Sequence, residues 1–191
     1  MRLFSFALAC IALISVPVLS HAAQEIGPQS YVELGLGITQ HQAVDDTSTE
    51  SELPQSVAGR LLVGGKIIKS SNVWFELMYN YNSKTEYSDT NFEFSSHSIS
   101  TGLKLTTQPY NKFVGFTRFG VGQTRFDTRN SGSFSSATRN QAYAGIGIGQ
   151  RLTKRQFFNL EYQLFHYFDL ENGAIDENSG SLFFTYQHYL D

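Results

Sequence analysis

From Tyr31 to Leu190 apolar and polar residues alternate in short runs, and no stretch keeps the three-to-four spacing of an amphipathic helix. Successive side chains of an extended backbone point to opposite faces, so each run reads as a strand with one apolar and one polar face. Eight such runs are present, at residues 31–40, 56–68, 73–81, 94–105, 113–125, 142–152, 158–168 and 182–190. In the first, Val32, Leu34, Leu36 and Ile38 alternate with Glu33, Gly35, Gly37 and Thr39. Five apolar residues break the alternation by falling on polar faces: Leu62, Val114, Phe116, Phe165 and Phe183. A bulge or an interface position would account for each.

The connections alternate in length. Residues 41–55, 82–93, 126–141 and 169–181 form long ones, and 69–72, 106–112 and 153–157 short ones. Long and short ends in strict turn describe an up-and-down antiparallel meander whose two ends have different surroundings. That is the layout of an outer-membrane barrel, with short periplasmic turns and long outer loops. A spanning strand needs about 9–11 residues, so the chain has room for eight strands and their loops, and not for sixteen. Alternation alone fits a soluble barrel as well, with its apolar face inward. The polar faces decide between the two. Most carry one or two charges among Gly, Ser, Thr, Asn and Gln, and Gly weakens a water-facing strand. Small residues suit a narrow interior that must hold long Arg and Lys side chains. Tyr and Phe also gather at the run ends. Tyr31, Phe75, Tyr110, Phe113, Phe157 and Phe158 stand at one end, and Tyr79, Tyr81, Phe92, Phe94, Phe126, Tyr167 and Phe168 at the other. Two aromatic girdles are expected at the membrane interfaces. The reading is therefore an all-β, eight-stranded antiparallel transmembrane β-barrel.

The start of the chain reads as an address. Arg2 precedes an apolar run from Leu3 to Leu19, which is followed by Ser20-His21-Ala22. This is the layout of a signal peptide cleaved after Ala22, leaving residues 23–191 as the barrel. Removing Arg2 leaves 13 Lys and Arg of the 14 against 17 Asp and Glu, a net charge of −4. The single cysteine, Cys10, leaves as well, which excludes a disulfide scaffold. The negative balance without a basic patch excludes a nucleic-acid module.

An eight-stranded barrel has an interior just wide enough for its own side chains. Charges inside must then pair, because unpaired buried charges are costly. The lumen-face charges are Glu33, Arg60, Lys66, Glu76, Lys104, Arg118, Arg151 and Glu161. The short turns at 69–72 and 153–157 are expected to bring Lys66 to Glu76 and Arg151 to Glu161. The expected outcome is a salt-bridged plug rather than an open pore. At the barrel ends, solvation is the alternative, and it fits Lys66 and Arg151 best.

The runs Tyr31-Val-Glu-Leu-Gly-Leu-Gly, Val114-Gly-Phe-Thr-Arg-Phe-Gly-Val-Gly and Ala144-Gly-Ile-Gly-Ile-Gly resemble those of small outer-membrane barrels of the opacity-protein, OmpX and OmpA-barrel type. The resemblance spans residues 23–191 as a pattern. It implies residence in the cell outer membrane as a monomer, contact with outer-membrane lipid and lipopolysaccharide, and insertion by the outer-membrane assembly machinery. Such barrels typically end in an aromatic residue that this machinery reads, whereas here Tyr189 is followed by Leu190 and Asp191.

Catalytic chemistry finds little support. Eight-stranded lipid A deacylases carry His-x-Ser-Asn near the outer end of a strand, with Ser as nucleophile and His as base. The matching run here is His166-Tyr167-Phe168-Asp169, and Phe168 cannot attack an ester. No catalytic residue, cofactor site or metal site is expected. Asp45, Asp46, Glu50 and Glu52 make the first outer loop acidic, and Asp169, Glu171, Asp176 and Glu177 the last, but their spacing matches no EF-hand loop. The stretch 130–138 reads as a flexible loop with Phe134 exposed. The expected function is that of a structural or adhesive surface barrel acting through its loops on a host or surface ligand. The alternatives are a deacylase-like envelope enzyme and a narrow solute channel.

Overall fold

The computed structural model describes residues 29–42, 55–68, 71–86, 92–130, 133–168 and 177–190. The expected signal peptide and the acidic loop residues lie outside them, save Glu177, which opens the last strand. The eight strands are β1 (Ser30–Gln42), β2 (Gln55–Lys66), β3 (Val73–Glu86), β4 (Phe92–Thr106), β5 (Phe113–Asn130), β6 (Ser133–Arg151), β7 (Gln156–Phe168) and β8 (Glu177–Tyr189). Each pairs antiparallel with its chain neighbours, and β1 pairs with β8 to close the barrel. Closure leaves no unpaired sheet edge in the membrane, where an unbonded backbone amide has no water to turn to.

The two faces are unequal in a way that excludes a soluble barrel. On the outer wall Leu36 is 70% exposed, Ile99 61% and Phe184 65%. Inside, Glu33, Arg60, Glu76, Arg118 and Glu161 are buried. Apolar residues face out and charges face in, which is stable only with hydrocarbon around the wall.

The apolar residues that break the alternation involve no bulge. Leu62, Phe116, Phe165 and Phe183 all turn into the lumen and are buried, while Val114 is half-buried. The pairing register runs unbroken through the buried four. Among the described residues the register shifts only between Asn82 and Thr85. Glycines make room opposite two of the bulky rings that face the lumen, Phe116 and Tyr31. A Cβ at Gly147 would lie 2.3 Å from the Phe116 ring, and one at Gly64 would lie 2.4 Å from the Tyr31 ring.

The expected loop at 126–141 is largely strand. Strands β5 and β6 run on to Asn130 and from Ser133, paired through Arg125↔Thr138 and Asn130↔Ser133. At 18 and 19 residues they outrun the ~9–11 residues that a bilayer requires, so this hairpin extends past the apolar band. Phe134 is exposed there as expected. The aromatic girdles are also fewer than expected. Tyr31, Phe94, Phe126, Phe157 and Tyr167 face the lumen instead, while Phe75, Tyr79, Tyr81, Tyr110, Phe113 and Phe158 remain exposed.

Candidate functional site: a charge network across the lumen

Six strands send one charged residue each to the middle of the barrel: Glu33 from β1, Arg60 from β2, Glu76 from β3, Lys104 from β4, Arg118 from β5 and Glu161 from β7. Alternation places them on the inner face, and barrel closure brings them within reach of one another. Arg118 is the hub. Its Nη2 donates to Glu33 Oε2 at 2.6 Å and its Nη1 to Glu33 Oε1 at 3.1 Å, a two-pronged grip that suits the planar guanidinium. Its Nε lies 3.1 Å from Glu76 Oε2, and Nη1 also meets Glu161. Arg60 holds Glu161 from the other side, with Nη1 to Oε2 at 2.7 Å. Lys104 Nζ lies 3.9 Å from Glu33 Oε2 and donates to Gln187 Oε1 at 2.8 Å. Three carboxylates thus face three cations, all buried, so the formal charge of the cluster cancels.

Neutral side chains complete the network. Tyr31 donates its hydroxyl to Glu76, and Arg60 Nη2 donates to Gln163. Arg60 Nε donates to Asn80 Oδ1 at 3.0 Å. Asn159 Nδ2 reaches Thr185 Oγ1 at 3.1 Å and Glu33 Oε2 at 3.4 Å. Rings cover the cations. The Arg60 guanidinium stands 3.7 Å above the Phe183 ring, and Lys104 Nζ lies 4.5 Å from the centre of Phe116.

Aromatic layers cap both ends of this network. Toward the short turns, Tyr31, Trp74 and Tyr189 form a triangle with centroid separations of 5.2, 5.8 and 5.6 Å. Phe157 adds an edge contact to Tyr189 at 5.6 Å. Toward the loops, Phe94 stacks on Phe126 at 5.5 Å and Phe126 meets Tyr167 edge-on at 5.0 Å, and Tyr143 and Phe165 lie beside them.

Two of the eight lumen charges named from sequence stand apart from the cluster, and the two pairings expected across short turns are not made. Lys66 sits opposite Trp74 with its Nζ 5.2 Å from that ring, and the Tyr31 ring packs over Gly64, the residue opposite Glu76. Glu76 is held by Arg118 instead. Arg151 is exposed at the rim opposite Phe157, whereas Glu161 lies opposite Gly147 and is held by Arg60 and Arg118. Sequence neighbourhood pointed along each hairpin, but the favourable partners come across the lumen. Tyr31, Asn80, Asn159, Gln163, Gln187 and the two covering Phe residues were not singled out as network members. Their parity on the lumen face was the available signal.

His166, considered as a base, has its Nδ1 2.9 Å from Asn178 Oδ1. Its ring stacks at 6.1 Å on Phe168, the residue at the nucleophile position of the deacylase pattern.

A closed wall of eight antiparallel strands, greasy outside and cross-linked by charge inside, defines a transmembrane β-barrel. The chain belongs to the family described as outer membrane protein beta-barrel domain, which matches residues 6–187, and its place is the outer membrane. No curated protein matches it. Among solved structures it is similar to Neisserial surface protein A (NspA), at 14% identity and a TM-score of 0.66 over 84% of this chain and 97% of that one. It is also similar to Ail, the attachment invasion locus protein of Yersinia pestis, at 12% identity and a TM-score of 0.56 over 85% and 98% of the two chains. The N-terminal β-barrel domain of Pseudomonas aeruginosa OprF matches at 14% identity and a TM-score of 0.55, over 84% and 98%. These likenesses are of fold.

Proposed function

We propose that this barrel acts at the cell surface as a structural or adhesive protein, through the segments beyond its outer rim, and that its lumen is a plug rather than a path. The observation that carries this reading is the buried network centred on Arg118, which ties β1, β3, β5 and β7 together across the interior. Opening a path would require parting three buried ion pairs at once. The hairpin of β5 and β6 supports the surface role, because it carries an exposed Phe134 beyond the apolar band. The name of Ail, the attachment invasion locus protein whose fold is similar, supports the reading.

The pore and enzyme alternatives have direct tests. Purified protein in planar bilayers is expected to give no large, steady unit currents, and such currents would overturn the plug. Incubation with lipid A is expected to release no acyl chain by mass spectrometry. Acyl loss that disappears in His166→Ala would overturn the non-enzymatic reading. Cells displaying the wild-type chain and a chain with 43–54, 131–132 and 169–176 replaced by Gly-Ser and Phe134 by Ser should differ in adherence to a host-cell layer. Equal adherence would overturn the adhesive role.

A further inference from the structure

The end of the barrel with the short turns carries a surface unlike the rest of the wall. Residues 67–72, 106–112 and 151–156 include no Asp or Glu. Lys112, Arg151, Lys154 and Arg155 are all exposed there, and among the described residues none of the four makes an ion pair. The backbone sets them side by side. Arg151 N donates to Lys112 O at 2.7 Å, joining the first turn to the end of β6. Leu152 N donates to Gln156 O at 2.9 Å and Tyr189 N to Arg155 O at 2.9 Å, fixing the next turn between β6, β7 and β8. The four cations therefore form one arc along the rim of β5 to β8.

Apolar side chains interleave with them. Tyr110 is 79% exposed, Leu152 46% and Leu190 55%. Just inside the rim the outer wall continues with Phe113 and Phe158, both exposed, so the arc is continuous with the lipid-facing band. Cations at the edge of a greasy band meet the membrane where headgroups begin. Their long stems lie along apolar surface while the charged tips reach for phosphate.

We infer that this rim is a binding surface for anionic glycerophospholipid headgroups of the adjoining leaflet, with Lys112, Arg151, Lys154 and Arg155 contacting the phosphodiester and Tyr110, Leu152 and Leu190 seated at the level of the acyl-chain boundary. In an outer-membrane barrel the short turns face the periplasm, so the leaflet concerned is the inner one. A soluble acidic partner would be served by the cations alone. The interleaved apolar residues and their continuity with the lipid-facing wall favour lipid.

The test uses the folded full chain in detergent with equimolar phosphatidylglycerol and phosphatidylcholine of the same acyl chains, and quantifies retained lipid by native mass spectrometry. The wild type should retain phosphatidylglycerol in preference by about tenfold, given the pull of each near-surface cation. That preference should fade as salt is raised. It should vanish in the combined variant K112Q/R151Q/K154Q/R155Q and weaken stepwise in K154Q/R155Q, which keeps the inference testable if the combined variant does not fold. Arg125→Gln with Arg129→Gln, at the opposite end, should leave it unchanged. Equal retention of the two lipids by the wild type, a preference that survives loss of the arc, or one that depends on Arg125 and Arg129, would each overturn the assignment. So would displacement of phosphatidylglycerol by soluble peptidoglycan fragments at equal concentration, which would make the rim a cell-wall contact.

Discussion

Arg118 has three carboxylate partners, and its removal is the most damaging single change the lumen can suffer. Arg118→Met keeps the bulk and deletes the charge, leaving Glu33, Glu76 and Glu161 with the more distant Lys104 and with Arg60. Breaking a buried pair from one side typically costs about 3–5 kcal/mol, because the stranded charge stays buried. Urea unfolding in lipid should show a loss of that order. Tyr31→Phe removes one donor to Glu76 and keeps the ring in its triangle, so its expected cost is nearer ~1–3 kcal/mol. The membership of the network was half legible. Alternation assigned each charge to the inner face, because parity is a property of the strand alone. Partner choice was not legible, since it depends on the height of each residue in the barrel and on which strands stand across from one another. Lys66 and Arg151 lie toward the rim, level with Trp74 and Phe157, while Gly64 and Gly147 stand opposite the carboxylates that sequence proximity offered them.

Within single strands and turns, position relative to the membrane sets the cost of change. Leu77, exposed on the outer face of β3 next to the lumen residue Glu76, lies well inside the apolar band, and Leu77→Arg should cost about 2–4 kcal/mol, the range for a cation at the bilayer midplane. Gln123, on the outer face of β5 toward the loop end, already bonds Asn140, and Gln123→Arg should cost about 0–1 kcal/mol in the same assay. Between β4 and β5, Tyr110 and Phe113 exchange backbone hydrogen bonds at 2.9 Å around Asn111 and Lys112. Asn111 has a φ of 56°, in the left-handed region that Asn and Gly tolerate and β-branched residues do not. Asn111→Gly should leave the unfolding midpoint nearly unchanged, and Asn111→Val should lower it. Strand identity was legible because alternation is local. Strand ends were not. The polar residues of 126–141 read as loop, yet they hold a ladder beyond the membrane, where a strand needs no greasy face and so leaves no period-two trace.

For the molecule as a whole, an intact barrel should run differently on a gel before and after boiling, and the Arg118→Met protein should lose its compact band at a lower temperature than the wild type. The architecture was legible to the strand number, since eight runs and two unequal ends leave few alternatives. The direction of the greasy face was legible too, from Gly and charge sharing one side of each run.

The seam between β1 and β8 carries a further consequence. It joins the ends of the chain through pairs such as Tyr31↔Tyr189 and Val32↔His188. On its inner side, Glu33 of β1 is gripped by Arg118 of β5, and the Tyr31 ring meets Trp74 and Tyr189. These contacts link residues far apart in sequence and can form only once the wall has closed. They are therefore late gains in folding, and a late gain slows the reverse reaction more than it speeds the forward one. The seam works as a latch whose strength appears in the lifetime of the closed barrel rather than in its rate of closing. Glu33→Gln should accordingly shorten the half-life of the native barrel while hardly changing its rate of folding.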